Sequence, residues 1–277
     1  MGIFVWSTAK RKLSEMNRAD KIDRYLAMVA IDGRPHGMVS VCDSFALDEA
    51  TGANILLTSD IHTSGISGVD TAGASIVIIA GDIMGGGMDS DDAGFGYLES
   101  EFFPWCRKNG DKQIVITAGN HDKFLFRMWA KGEKIDWPKN VTYLIDREVS
   151  VNGIRMYGTP WCTKNREGRF EGTDRDLAER FSKIPKGLDI LISHTPPYIP
   201  GEKIDYSDKV GVHEGSKELT EEIIKKKPRL VVCGHIHGGD RTVLKYGETT
   251  IMNVARVHTD RSKESFKPKL IRFTFEK

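Results

Sequence analysis

No stretch of this chain approaches the roughly 20 consecutive apolar residues that a membrane-crossing helix requires, which argues against a helical membrane span. The opening Met1-Gly2-Ile3-Phe4-Val5-Trp6 is apolar but too short and wrongly flanked for a secretory signal. Cysteine is scarce: Cys42, Cys106, Cys162 and Cys233 show neither CxxC spacing nor the density of a disulfide framework. Cys233 lies inside an apolar run where a reduced, buried thiol is ordinary. A soluble protein of a reducing compartment, the cytoplasm, is expected. An excess of either charge is also missing, with 40 Lys and Arg against 39 Asp and Glu. No global field therefore draws the chain to long nucleic acid or to an acidic membrane surface. Internal repeats and low-complexity tracts are absent, which excludes solenoids and arrays.

What is present is one ordered set of short motifs: Asp60-Ile61-His62, Gly81-Asp82, Gly119-Asn120-His121-Asp122, Ser193-His194 and Gly234-His235-Ile236-His237. Each follows a β-forming run, namely Ile55 to Thr58, Ile76 to Ala80, Ile114 to Ala118, Ile190 to Ile192 and Leu230 to Cys233. Polar side chains are thus delivered repeatedly to one edge of a buried sheet. An Asp, Asn or His at such an edge is costly unless something there binds it, and a pair of metal ions would supply that compensation. Divalent first-row ions held by imidazole, carboxylate and amide oxygen keep positions open for water, and two of them ~3.5–4 Å apart clamp both oxygens of a phosphoryl transfer. In strict pleating Asp60 and His62 would stand ~7 Å apart, so reaching one ion together requires a turn at Ile61. Asp82 has two oxygens with which to bridge both ions, neutral Asn120 limits the ligand charge, and His235 and His237 would split between the ions.

At 277 residues the chain suits one large α/β domain. Residues 1–53 differ in character: Lys10 to Leu26 permits a helix, and Tyr25 to Ile31 with Gly37 to Leu47 flank Asp32-Gly33-Arg34-Pro35 as a hairpin. This appendage is read as an extra strand pair on a sheet edge, with a lid or an oligomer contact as the alternative. From Asn54 to residue 277, strands alternate with helical stretches at Gly96 to Lys108, Lys123 to Lys131, Asp174 to Lys183 and Ser216 to Lys227. Glu148 to Tyr157, turning at Asn152-Gly153, is a hairpin, so the sheet is mixed. Thr242 to Lys245, Thr249 to Val254 and Leu270 to Phe275 are expected to close the far side of a β-sandwich.

The five blocks resemble those of the calcineurin-like metallophosphoesterases over about residues 54 to 258. The resemblance implies an α/β fold of four layers, αββα, a mixed β-sandwich flanked by helices. It further implies that Asp60, His62, Asp82 and His237 hold one metal, and Asp82, Asn120, His194 and His235 a second. His121 would be the non-ligand histidine near the leaving group, acting as general acid, with Asp122 orienting it. The stretches Val149 to Trp161, Ile184 to Pro197 and Lys227 to Leu230 look like the branch containing the metallophosphoesterase-domain (MPPED-type) phosphodiesterases. Cyclic nucleotides are among that branch's substrate types, and some members carry Gly where His235 stands here. The reading that follows is a phosphodiesterase acting on a small diester through metal-bound hydroxide. Manganese is the working cofactor, and Fe, Zn, Ni or Co fit the same donors. A nuclease or phosphomonoesterase on the same site is the alternative, and a non-catalytic scaffold of the same fold is another.

Trp161 is read either as a base-stacking surface or as a structural aromatic, and Lys164, Arg166 and Arg169 after it are candidate contacts to substrate phosphate or base. Asp122 also stands where it would cap the helix beginning at Lys123. His36, His213 and His258 are read as surface or satisfied core residues, although the segment from Pro196 to Gly215 could overhang the site. Gly85-Gly86-Gly87 with Asp89, Asp91 and Asp92 lacks both the P-loop and the EF-hand ending and is read as a connection. Lys225-Lys226-Lys227 suits a helix C-terminus.

Overall fold

The computed structural model describes residues 26–29, 37–41, 52–63, 65–86, 88, 90–163, 169–207, 211–259 and 265–275. Strands β1 (Leu26–Val29), β2 (Gly37–Val41), β3 (Gly52–Thr58), β4 (Ile76–Ala80), β5 (Gln113–Thr117) and β6 (Val141–Leu144) belong to one sheet. A second sheet contains β7 (Arg147–Val151), β8 (Ile154–Thr159), β9 (Ile190–Ser193), β10 (Leu230–Cys233), β11 (Val243–Tyr246) and β12 (Thr249–Asn253). The last strand, β13 (Lys269–Phe275), returns to the first sheet, whose order is β1-β2-β13-β3-β4-β5-β6. The second sheet runs β11-β12-β10-β9-β8-β7. Strands β3 to β6 are mutually parallel, as are β8, β9, β10 and β12, while antiparallel pairs finish the β1 edge of the first sheet and both edges of the second.

The alternation of the apolar runs decides the layering. Ile55, Leu57, Ile76, Ile78 and Val115 of the first sheet share one buried cluster with Ile154, Met156, Ile190, Ile192, Leu230 and Val232 of the second. Their neighbours one position along, including Leu56, Val77, Ile114, Leu191 and Val231, face the other way and join side chains of the helices. Those helices are α1 (Asp91–Tyr97), α2 (Phe103–Lys108), α3 (Lys123–Lys131), α4 (Asp174–Phe181) and α5 (Lys217–Lys226). Tyr97, Phe103 and Cys106 of this set lie in one cluster with Val77 and Ile114, as do Leu177, Phe181, Leu219 and Ile223 with Leu191 and Val231. Two stacked mixed sheets between helices form the four expected layers. Parallel strands buried on both faces read as near-continuous apolar runs, which is why they are plain in the sequence.

Helix starts follow side-chain chemistry. Ser90 Oγ accepts from Ala93 N, Thr173 and Asp176 form a capping box, and Ser216 Oγ accepts from Leu219 N. The first helix begins at Asp91, earlier than the apolar spacing from Gly96 predicts. Its first turn is held by Ser90 and by Asp91, whose carboxylate meets Arg127 at 2.5 Å and Lys131 at 3.1 Å. A π turn at Leu98–Phe102 joins α1 to α2 and is followed by Pro104, which has no N–H to continue the ladder.

The structure departs from the sequence reading at the C-terminus. Leu270 to Phe275 does not close the far side beside the β11–β12 pair; β13 inserts into the first sheet, antiparallel to both β2 and β3. Alternation marks a half-buried strand, and both sheets offer such a place. The expected hairpin appears as β1 paired antiparallel to β2, extending the first sheet's edge beyond β13. Residues 10–25 of the helix anticipated over Lys10 to Leu26 and the turn Asp32 to Pro35 lie outside the described residues, as do Cys42 and His36, while Leu26 itself opens β1. Cys106, Cys162 and Cys233 are buried free thiols, and burial pushes that of Cys106 up to about 12. Among the described residues no helix is long and apolar enough to cross a membrane.

Phe273 is fully buried on β13, in the cluster between the sheets, whereas Ile224 on α5 is 54% exposed. Phe273→Ala should therefore cost about 3–5 kcal/mol in urea unfolding, and Ile224→Ala should stay within about 0.5 kcal/mol.

Candidate metal centre

Just beyond the ends of β3, β4, β5, β9 and β10 the backbone leaves extended geometry to turn five polar blocks toward one point. Asp60, His62, Asp82 and His235 all adopt left-handed conformations, with φ of 53°, 50°, 52° and 66°. Such angles cost a non-glycine residue roughly 1–2 kcal/mol each, and the surrounding hydrogen bonds hold them. Asp60 N donates to Gly81 O at 3.0 Å, while Ile61 N and His62 N both donate to Asp82 O at 2.9 and 3.0 Å. This is the turn that the spacing of Asp60 and His62 calls for, and it brings His62 Nε2 to 3.8 Å from Asp60 Oδ1.

The side chains gather in two groups that share Asp82. On one side Asp60 Oδ1 lies 3.0 Å from His237 Nε2, and His237 Nε2 lies 3.2 Å from His62 Nε2. On the other, Asn120 Oδ1 stands 3.0 Å from both His194 Nε2 and His235 Nδ1. Between them Asp82 Oδ2 faces His62 Nε2 at 3.7 Å and His194 Nε2 at 3.4 Å. Asp82 Oδ1 accepts from His121 N at 2.8 Å, and His235 N donates to Asp60 Oδ2 at 2.9 Å, tying the two sheets together at the site. The donor atoms of Asp60, His62 and His237 lie within 4.8 Å of one another, as do those of Asp60, Asp82 and His194, and those of His62, Asp82 and His121.

This donor set fits divalent metal ions. Imidazole nitrogens and carboxylate oxygens converge at contact distances that leave several lone pairs facing each other, which a cation resolves. The glycines keep the space open: a Cβ at Gly119 would fall 2.3 Å from Asp82 Oδ1, and one at Gly81 2.4 Å from His194 Nδ1. At Gly234 it would overlap Ser59 Oγ and the Asp60 carboxylate.

Electrostatics without a cation show what the ligands substitute for it. Burial disfavours a charged His194, yet the Asp82 carboxylate beside it prevails and its imidazole is pushed up to about 9. His235 is pushed down to about 3, by burial first and then by the neighbouring His194 charge. Burial opposes ionisation of Asp60 and Asp82, but the imidazoles around them hold both well below the usual carboxylate range.

All seven expected ligands, Asp60, His62, Asp82, Asn120, His194, His235 and His237, thus meet in one place. His121 is exposed beside them, its ring edge-on to His62 with centroids 4.9 Å apart. Asp122 does not orient it: both carboxylate oxygens turn inward, one accepting from Met84 N and the other from Gly119 N, each at 2.8 Å. Nor does its side chain cap α3. Burial, then Asp82, pushes Asp122 up to about 7, and its two backbone bonds brace the loops on which Asp82 and Asn120 sit.

Trp161 is a structural aromatic. It is buried, its Nε1 donates to Asp146 at 2.7 Å, Arg180 lies 3.3 Å over its ring, and Phe170 and Trp129 pack against it. No face is left for a base. Arg169 is exposed and near the site, its N donating to Asn120 O at 3.0 Å, whereas Lys164 and Arg166 lie outside the described residues.

Two supporting residues carry no local signal. Arg241 gives Nε to Ala255 O at 2.8 Å and its terminal nitrogens to the carbonyls of His237 and Gly239. Buried Asn253 donates Nδ2 to Ile236 O and to Ile204 O, both at 3.0 Å. Together they fix the turn that presents His235 and His237. Only the number of carbonyls left over in that turn, a question of backbone accounting, points to them.

Comparison with known proteins agrees with this geometry. The model of the calcineurin-like phosphoesterase family matches residues 53–239. A UPF0046 protein of Caenorhabditis elegans (C25E10.12) is 32% identical over 158 residues, covering 52% of this chain and 56% of that one. The human metallophosphoesterase domain-containing protein 1 is 29% identical over 203 residues, covering 63% of this chain and 60% of its own length. The chain therefore spans little more than half the length of these relatives. The crystal structure of TT1561 of Thermus thermophilus has a TM-score of 0.52 at 16% identity, covering 73% of this chain and 89% of that chain, a likeness of fold.

Two outcomes follow from the geometry. Because His194 holds a proton up to about pH 9 when no cation is bound, metal must displace it, and affinity should rise about tenfold per pH unit between pH 7 and 9 in calorimetric titrations. Gly119→Ala, which places a methyl against Asp82 and His194, should lower metal affinity by tenfold or more while leaving the far-ultraviolet circular dichroism intact.

Proposed function

The chain belongs to the calcineurin-like phosphoesterase family, and from that premise and its convergent Asp, Asn and His donors we propose that it is a dinuclear metal-dependent phosphodiesterase acting on a small diester of the cyclic-nucleotide type. The observation that carries this reading is the position of Asp82 Oδ2, between an Asp60–His62–His237 group and an Asn120–His194–His235 group. One ion would be held by Asp60, His62, His237 and Asp82, the other by Asp82, Asn120, His194 and His235. Manganese suits these donors, as do Fe, Zn, Ni and Co. When bound, such a pair neutralises the phosphate and lowers the pKa of a coordinated water toward ~7.

The chain's own residues supply the rest. His121, exposed next to His62 with its backbone N–H anchored on Asp82, stands where an imidazolium would protonate the departing oxygen. Asp60 and Asp82 are fully enclosed and stay ionised without a solvent shell, so their charge is directed at the site. A formal charge of +1 supports a small ester over a long polyanion. Three buried unpaired thiols support a cytoplasmic setting.

A panel of a model diester, a model monoester, cyclic nucleotides and single-stranded DNA, run on protein stripped of metal and reloaded with each ion, tests the reading. Diesters should turn over fastest with manganese; equal or faster monoester turnover would overturn it. Asp82→Ala should abolish turnover and loosen both ions. His121→Asn should cut kcat by about 10²–10⁴ for an alkoxide leaving group and far less for p-nitrophenolate, which needs no proton.

A further inference from the structure

Outside the metal ligands, one histidine is held as a functional imidazole usually is. His213 Nδ1 lies 2.8 Å from Asp205 Oδ1, and Asp205 is fully buried, its other oxygen accepting from Gly215 N at 3.2 Å. Facing a carboxylate, Nδ1 carries the proton, so Nε2 of the neutral ring is an acceptor. Nε2 has no partner among the described residues, and the His213 side chain is 30% exposed. A surface histidine needs no buried carboxylate to fix its tautomer.

The segment bearing this dyad is fastened to the metal centre. It leaves directly after His194 and returns where Pro197 bridges Ser216. Asn253 Nδ2 holds Ile204 O and Ile236 O together, so Asp205 starts one residue from a carbonyl gripped alongside the His235–His237 turn. Asp240 N donates to Lys203 O at 2.8 Å, and Gly239 lies so near Ile204 O that a Cβ there would come within 2.4 Å. On the other flank Thr163 Oγ1 donates to Glu214 O at 3.4 Å, and Arg169 N, further along the chain, donates to Asn120 O at 3.0 Å. The segment bearing the dyad is therefore tied to the turn that presents His235 and His237.

Its surroundings suit an organic ring carrying a phosphate. Half-buried Tyr198 and Tyr206 pack edge-on to the imidazole at centroid distances of 5.6 and 5.4 Å. The exposed Lys217 and Lys203 place ammonium groups over those rings, at 5.4 and 6.0 Å. Aromatic walls, a fixed acceptor and two cations recognise a planar, N–H- or O–H-bearing arm on an anion.

We propose that His213, set by Asp205 and flanked by Tyr198 and Tyr206, is the specificity residue that binds the nucleoside-like arm of the ester, Nε2 accepting a hydrogen bond from its hydroxyl or amino group. The assignment rests on the phosphodiesterase reading for its substrate, but not for its binding partner. Its test compares wild type, His213→Ala and Asp205→Asn on cyclic AMP and on methyl p-nitrophenyl phosphate, which lacks the arm. Binding of AMP and of manganese to the same proteins is measured by calorimetry. His213→Ala should raise KM for cyclic AMP and weaken AMP binding about tenfold, with a far smaller rise for the methyl ester and full manganese stoichiometry; Asp205→Asn should do the same less strongly. Equal losses on both esters, a parallel loss of manganese, or no loss at all would overturn it, as would a wild-type protein that binds no AMP. A wild type that binds AMP through His213 yet hydrolyses no diester would retire the phosphodiesterase reading and keep the subsite.

Discussion

Everything near the site depends on two buried carboxylates, Asp60 and Asp82, placed where neither can reach water. Unpaired, each would favour its neutral form or an unfolded chain. The fold answers by surrounding them with imidazoles and backbone N–H groups, His235 N on one and His121 N on the other. A second charge among the gathered imidazoles is itself unfavourable, so His194 and His235 are driven in opposite directions. A divalent cation relieves both tensions at once. The left-handed backbone at Asp60, His62, Asp82 and His235 is the conformational cost of pointing these groups at each other from the ends of strands.

That cost is sustained by residues that touch no ligand atom. Asp122 spans the loops after β4 and β5, Arg241 collects the carbonyls behind His237, and Asn253 links that turn to the segment after His194. The strands beneath contribute rigidity, since their apolar side chains are buried on both faces and cannot shift without opening a cavity. Loops carry the chemistry and the two packed sheets hold them in register. The segment with Asp205 and His213 shares one of these supports, Asn253.

Much of this was legible in the residues. The apolar runs ending in Asp, Asn or His identify both the strands and the edge on which a site must form, because such endings have no other stable use in a buried sheet. The Ser90, Thr173 and Ser216 caps are local and leave local marks. Three readings needed more. Trp161 beside a basic loop resembles a stacking platform, yet its indole is consumed by Asp146 and Arg180, which are distant in sequence. Asp122 follows His121 and precedes a helix, so two local roles suggest themselves, but its bonds go to Met84 and Gly119. Alternation in Leu270 to Phe275 announces a strand without saying which sheet receives it.

By itself the order of residues determined the chemistry: how many ligating groups there are, of what types, and that each follows a buried strand, since hydrophobic period and side-chain identity are properties of the chain read locally. Only the tertiary structure decided which oxygen of Asp82 faces both imidazole groups, that Arg241 and Asn253 hold the last motif in place, and that His213 rests on a buried Asp205. Those are contacts between segments far apart along the chain, and no local pattern carries the distance at which two folded strands will end.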